Sequence, residues 1–291
     1  MDNPAQLSEA RVAILGMGLM GGSLALALRG RCKRLAGCDP DLSAIKLSLE
    51  MQALDLADPD PARVLAESDL VILAAPVHAI LALLRELSTL HPGSPVVLDI
   101  GSTKAEILGA MAELPPRFDP VGGHPICGKA ASGMANADAT LFRGAPFALA
   151  PLSRTSAHAR ALAEELVVAL GARPFWVDPA THDRWVAASS HVPYLVASAL
   201  ALATPDEVAP VVGPGFVSTS RLASSSPGMM LDALVSNRRE VLLSLGRFRK
   251  QLDLLEIQLS HASPAQLDCS LDKAVARRES LILSAQRGDE R

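Results

Sequence analysis

The chain reads as an α/β fold: a doubly wound sheet in its first part, followed by an all-helical C-terminal domain. Three observations predict this. Short apolar runs alternate with helical patterns as far as about Val177. A glycine loop joins the first apolar run to the first helical pattern, and from Pro179 onward only helical periodicity remains.

Taken in order, Arg11 to Leu15 reads as a strand and Leu19 to Arg29 as a helix. Leu35 to Cys38, Leu70 to Ala74, Val96 to Asp99, Pro146 to Ala150 and Arg173 to Val177 are further short strands with helix-like segments between them. Strands separated by helices predict parallel pairing through crossover connections. The pattern then changes, which divides the chain into residues 1–178 and 179–291. In the second part Val241, Leu245, Phe248, Leu252, Leu255 and Leu259 recur at spacings of four and three, placing them on one helical stripe. The stripe suits either the core of a helix bundle or a subunit interface. Leu267, Leu271, Val275, Arg278 and Ile282 suggest a final helix.

With 291 residues, 49% of them hydrophobic, the chain is long enough for two cores. A net charge of −4 gives no footprint for nucleic acid or an acidic membrane surface. Cys32, Cys38, Cys127 and Cys269 are scattered, with no CxxC pair; they read as free thiols of a reducing cytosol, and no metal site is expected. Met1-Asp2-Asn3-Pro4 lacks the basic and apolar regions of a signal peptide. The longest apolar run, Val192 to Ala203, is too short to span a bilayer and contains Pro193. A soluble cytoplasmic protein is expected, with a small-molecule substrate and neither a nucleic-acid nor a membrane partner.

Gly16-Met17-Gly18-Leu19-Met20-Gly21 matches GxGxxG directly after the first strand. The first glycine permits the tight turn, the second lets a pyrophosphate approach the backbone, and the third brings helix and strand close. The dinucleotide-binding (Rossmann-type) reading makes Gly16, Gly18, Leu19, Met20 and Gly21 the phosphate loop. Asp39, ending the second strand, would accept hydrogen bonds from the adenosine ribose and repel a 2′-phosphate, which favours NAD over NADP. Asp39-Pro40 also looks like a helix start, so capping is a possible second role.

Downstream, Gly122-Gly123-His124-Pro125-Ile126-Cys127-Gly128 follows a predicted strand. An imidazole between glycines and a proline is poorly placed to pack and well placed to take a proton as hydride leaves the same carbinol. Together with the glycine loop this points to a dehydrogenase with His124 as base. Ser102, in Asp99-Ile100-Gly101-Ser102-Thr103-Lys104, lies where loops at strand ends line a ligand crevice; it would contact nicotinamide or carbinol, or else cap a helix. Lys104 would touch the cofactor or be solvated. His78, His91, His158 and His261 read as solvated, and His182 is ambiguous. His191, beside Pro193 and Tyr194, would contact substrate or be a satisfied buried histidine. Arg221 offers a planar fork for a substrate carboxylate, or an interdomain ion pair.

These motifs resemble those of the prephenate/arogenate dehydrogenases of tyrosine biosynthesis, over roughly Arg11 to Leu259. The resemblance is carried by Gly16 to Leu24, Gly101-Ser102-Thr103-Lys104, Gly123 to Gly128, Ser190-His191-Val192-Pro193 and Thr219-Ser220-Arg221-Leu222-Ala223. It implies an NAD-binding domain, a helical substrate-binding and dimerisation domain, a homodimer, and oxidative decarboxylation of a cyclohexadienol. His124 would deprotonate the ring hydroxyl, Ser102 assist there and at the nicotinamide, Arg221 bind a carboxylate, and His191 line the pocket. Tyr194 stands where the family often has histidine, a position that contacts the substrate side chain. Lys129-Ala130 replaces a frequent glutamate, and Gly215-Phe216-Val217-Ser218 a frequent Gly-Phe-Arg-Asp. The side chain accepted (pyruvyl, alanyl or a 4-amino analogue) stays open. The chain leaves no room for a fused mutase before Arg11 or a sensing domain at its end, so inhibition by tyrosine is expected to be competitive. Two alternatives are a β-hydroxyacid dehydrogenase, whose helical lysine has no equivalent between Ala180 and Ser236, and a nucleotide-binding protein without turnover.

Overall fold

A computed structural model describes residues 6–129, 131–261 and 264–287; the N-terminal residues 1–4 and Ala130 considered above lie outside the described residues. The strands are β1 (Arg11–Leu15), β2 (Arg34–Cys38), β3 (Leu56–Ala57), β4 (Leu70–Leu73), β5 (Val96–Asp99), β6 (Asp119–Pro125), β7 (Pro146–Pro151) and β8 (Arg173–Trp176). They form one sheet in the order β3-β2-β1-β4-β5-β6-β7-β8. Helices α1 (Leu19–Leu28), α2 (Leu42–Glu50), α3 (Pro61–Leu65), α4 (Val77–Leu90), α5 (Ala105–Ala112) and α6 (Ala157–Ala169) complete the doubly wound part. Strand order reverses between β1 and β4, so the crevice for a ligand opens outside their carboxyl ends.

The strands read as continuous apolar runs because both faces are covered. Along β4, Leu70 and Ile72 join one core with Ile14, Leu24, Leu98 and Leu166. Val71 and Leu73 join the other with Leu15, Ile80, Leu84 and Leu108. Helix starts follow local chemistry: the carboxylates of Asp41 and Asp60 and the hydroxyl of Ser156 accept the free amides of α2, α3 and α6, with Pro61 in the first turn of α3.

Two expectations change. Pairing is parallel from β3 to β6 and again between β7 and β8, but β6 and β7 are antiparallel. The connection between them holds no crossover helix among the described residues, only a short 3-10 turn at Met134–Asn136, so the chain reverses direction. His124 lies within β6, since pairing with β7 carries the strand on to Pro125 after its pairing with β5 has ended.

The remaining helices are α7 (Pro179–Val186), α8 (Val192–Ala203), α9 (Pro214–Ser220), α10 (Pro227–Ser236), α11 (Arg238–Ser260) and α12 (Pro264–Arg287). A π-helical turn, Ala187–His191, joins α7 to α8, so Pro193 does not end the helix. The resulting stretch, Pro179–Ala203, is by length and composition alone apolar enough to cross a membrane, although Val192 to Ala203 by itself is not. Contacts divide the chain into Met1–Arg238 and Arg239–Arg291. In the second unit Phe248, Leu252 and Leu259 of the predicted stripe are exposed in a single copy of the chain, as are Leu271, Val275 and Ile282 of α12.

Candidate active site

The glycine loop shows which of its glycines are structural. Gly16 has a φ of 106°, and a Cβ there would lie 2.4 Å from the Ala74 carbonyl oxygen. A Cβ on Gly21 would lie 1.8 Å from the Gly16 carbonyl oxygen. On Gly18 it would meet nothing within 4 Å. The outer glycines therefore bring loop, helix and β4 together, and the middle one leaves a cradle open for a ligand. The first bond at this end of α1 runs from the Gly22 amide to the Gly18 carbonyl, which leaves the Leu19 and Met20 amides at the helix terminus. The Asp39 carboxylate accepts from the Met17 amide at 2.6 Å and from the Asp41 amide at 2.8 Å. It braces the loop; the capping role suggested for Asp39 belongs to Asp41, which accepts from Ser43. Lys46 pairs with Glu50. This cradle and its acidic neighbour fit a dinucleotide without a 2′-phosphate.

His124 stands at the carboxyl end of β6, on the edge of the sheet where β1, β4 and β5 also end. The glycines before it are there for close approach: a Cβ on Gly123 would lie 2.6 Å from the Asp99 backbone oxygen, and one on Gly122 would crowd Leu108 and Lys104. Lys104, expected at the surface or at the cofactor, is completely buried. Its ammonium pairs with Asp99 and donates to the Gly123 carbonyl at 2.6 Å. Asp99 in turn accepts from the amides of Gly101 at 2.8 Å and Gly123 at 3.3 Å. The two peptides flanking Gly123, just before His124, are thus held by the two members of one buried ion pair.

His124 Nδ1 lies 2.9 Å from His182 Nε2, and His182 Nδ1 lies 2.8 Å from Asp183 Oδ1. Asp183 also accepts the amides of Lys104 at 2.7 Å and Ala105 at 2.8 Å, at the start of α5. Burial, helped by His182, Lys104 and His191, holds the His124 imidazole well below its ordinary pKa, so it is neutral at pH 7. Burial likewise lowers His191 to about 4. His191 is buried, with the Asn237 amide group 3.3 Å from its Nδ1. The same amide nitrogen donates to the Asp183 carbonyl at 2.7 Å, which identifies it as nitrogen and leaves the His191 proton on Nε2. Burial pushes the Cys127 thiol up to about 11, so it is no nucleophile at neutral pH.

Of the other predicted site residues, Ser102 is partly exposed in the loop between β5 and α5. Its neighbour Thr103 bonds Ser236 at 2.8 Å and His78 meets Asp232 at 2.5 Å, so α10 packs beside this loop and α4. Tyr194 is partly exposed on α8, and Arg221 is exposed in a 3-10 turn, Arg221–Ser224, that packs against α8. His91, expected in solvent, is buried against Ser68. Asp99, Asp183 and Asn237 are not among the residues expected at the site from sequence, and His182 is ambiguous there. The adjacent ionisable pair His182-Asp183, shortly before an apolar helix, was the available signal. Among the described residues no group of three or more His, Cys, Asp or Glu is arranged to hold a metal ion.

Residues 24–175 match the prephenate dehydrogenase nucleotide-binding domain family and residues 178–271 the prephenate dehydrogenase dimerization domain family. A prephenate dehydrogenase of Bacillus subtilis is 32% identical over 254 residues, covering 83% of this chain and 68% of that protein. The structure of prephenate dehydrogenase from A. aeolicus with hydroxyphenyl propionate and NAD+ superposes with a TM-score of 0.87 at 28% identity, covering 94% of this chain and 99% of that one. Synechocystis arogenate dehydrogenase gives 0.82 at 29% identity, with 93% and 99% covered. The chain belongs to the prephenate dehydrogenase family.

Proposed function

We propose that the chain is an NAD-dependent dehydrogenase that oxidatively decarboxylates prephenate to 4-hydroxyphenylpyruvate or arogenate to tyrosine. The observation that carries this is a neutral histidine, His124, on the carboxyl edge of the same sheet that builds the glycine cradle. Gly16, Gly18, Leu19, Met20, Gly21 and Asp39 would hold NAD, with Ser102 beside the nicotinamide; the bound cofactor supplies a hydride acceptor. His124 takes the proton of the ring hydroxyl as the carbinol C–H bond breaks. The ring carboxylate then leaves as CO₂, the ring aromatises, and His124 returns the proton to the phenolate oxygen. The imidazole ends the cycle as it began, so the buried cluster behind it needs no proton exit. Arg221 would pair with a substrate carboxylate, and Tyr194 and His191, through its Nε2–H, would border the side chain.

Residues 1–178 would form the NAD-binding domain and 179–291 the substrate-binding and dimerisation domain, working as a cytoplasmic homodimer without nucleic-acid or membrane partners. The exposed apolar residues of α11 and α12 support the dimer. The test is formation of NADH from NAD⁺, or of NADPH from NADP⁺, with prephenate and, separately, with arogenate. Turnover of one cyclohexadienol with a preference for NAD⁺ is expected. Cofactor binding with turnover of neither would refute the reading.

A further inference from the structure

The proton on His124 can sit on either ring nitrogen, and only one choice leaves a base facing substrate. Asp183 accepts three donors: two backbone amides at the start of α5 and one ring nitrogen of His182. Backbone amides can only donate, so both carboxylate oxygens act as acceptors here, and the His182 nitrogen facing Oδ1 carries the hydrogen. With its one ring hydrogen on Nδ1, His182 has a bare Nε2, and the hydrogen in the 2.9 Å contact comes from His124 Nδ1. His124 Nε2 keeps its lone pair.

We propose that His182 and Asp183 are positioning residues that fix His124 in its Nδ1–H tautomer and so present Nε2 as the proton acceptor. The assignment rests on the reading of His124 as the base. Both partners are buried to 2% exposure, on a helix rooted against α5, so the imidazole is held by fixed groups rather than by solvent. The charged and titratable groups around the cluster are Lys104 with its partner Asp99, and His191. The Lys104 ammonium supplies a positive charge beside His124, which disfavours a second proton on that ring.

Two measurements test this. Long-range ¹H–¹⁵N correlation spectra of the histidine rings, with His124 assigned by its loss in His124→Asn, should show His124 protonated at Nδ1 and His182 neutral near pH 7. An Nε2–H tautomer of His124, or a doubly protonated His182, would overturn the proposal, whatever the enzyme oxidises. The variants His182→Gln and His182→Leu give the kinetic arm. A glutamine amide oxygen can stand where Nε2 accepts while its nitrogen donates towards Asp183; leucine can do neither. His182→Leu should lower kcat by roughly 10²–10⁴-fold with NAD⁺ affinity retained, the scale of a wrongly fixed tautomer. His182→Gln should recover most of that loss and keep the wild-type pH profile. Equal activities for the two folded variants would contradict the assignment. If leucine prevents folding, the spectra and the glutamine variant still decide it.

Discussion

Gly18→Ala and Gly21→Ala separate what the fold needs from what the ligand needs. At Gly21 an added Cβ would sit 1.8 Å from the Gly16 carbonyl oxygen and 3.2 Å from the Ala74 Cβ. The carbonyl would have to retreat by roughly an ångström, overpacking that costs about 1–3 kcal/mol. For a chain of this size that lowers Tm by roughly 2–12 °C. At Gly18 nothing lies within 4 Å and φ is −76°, so the methyl costs stability little. It occupies the space a pyrophosphate would enter, and NAD⁺ should bind about tenfold or more weakly, ~1.4 kcal/mol or above. Thermal unfolding without ligand and fluorescence titration with NAD⁺ read the two effects apart. Wild-type affinity in a folded Gly18→Ala, or equal loss of Tm in both variants, would refute the reasoning.

Removing Lys104 alone strands a buried carboxylate. Lys104→Met should cost about 3–5 kcal/mol in urea unfolding, and adding Asp99→Asn should restore most of it; an additive loss would show that the pair is not the cause. Arg221→Met should raise KM for the cyclohexadienol by roughly 10–100-fold, with kcat and NAD⁺ binding near wild type, the scale of one charge-assisted bond; unchanged KM would remove Arg221 from the carboxylate site. Burial lowers the pKa of His91, His124 and His191, the last to about 4. Below ~6.5 the unfolded chain therefore binds protons that the native chain refuses, and stability present above that pH should fall as pH drops from ~6.5 towards ~4. Urea midpoints that stay flat or rise over this window would contradict the burial of these rings.

Much of this was readable in the sequence because the signals are local. The glycine spacing, apolar runs and helix caps depend on near neighbours, and strands β1, β2, β4, β5, β7 and β8 follow from them. The antiparallel β7 was not legible, since direction is set by whether a crossover helix lies between strands, and the segment after His124 has no clear periodicity. Asp99 and Lys104 are five residues apart and read as loop chemistry; only the sheet shows that both are buried under Gly123. His182 and Asp183 lie 58 and 59 positions beyond His124, so their role exists only once α7 is docked. A sequence pattern names residues with exposed chemistry more readily than the buried groups that orient them.

The most direct test of His124 as the base is single-turnover NADH formation by wild type and His124→Asn, each saturated with NAD⁺ and with whichever cyclohexadienol the wild type oxidises. Asparagine keeps a polar group near the Nδ1 position and supplies no base. A loss of roughly 10²–10⁴-fold in the hydride-transfer rate is expected, with NAD⁺ affinity and Tm unchanged. A rate within a few-fold of wild type in the folded variant would show that another group takes the proton.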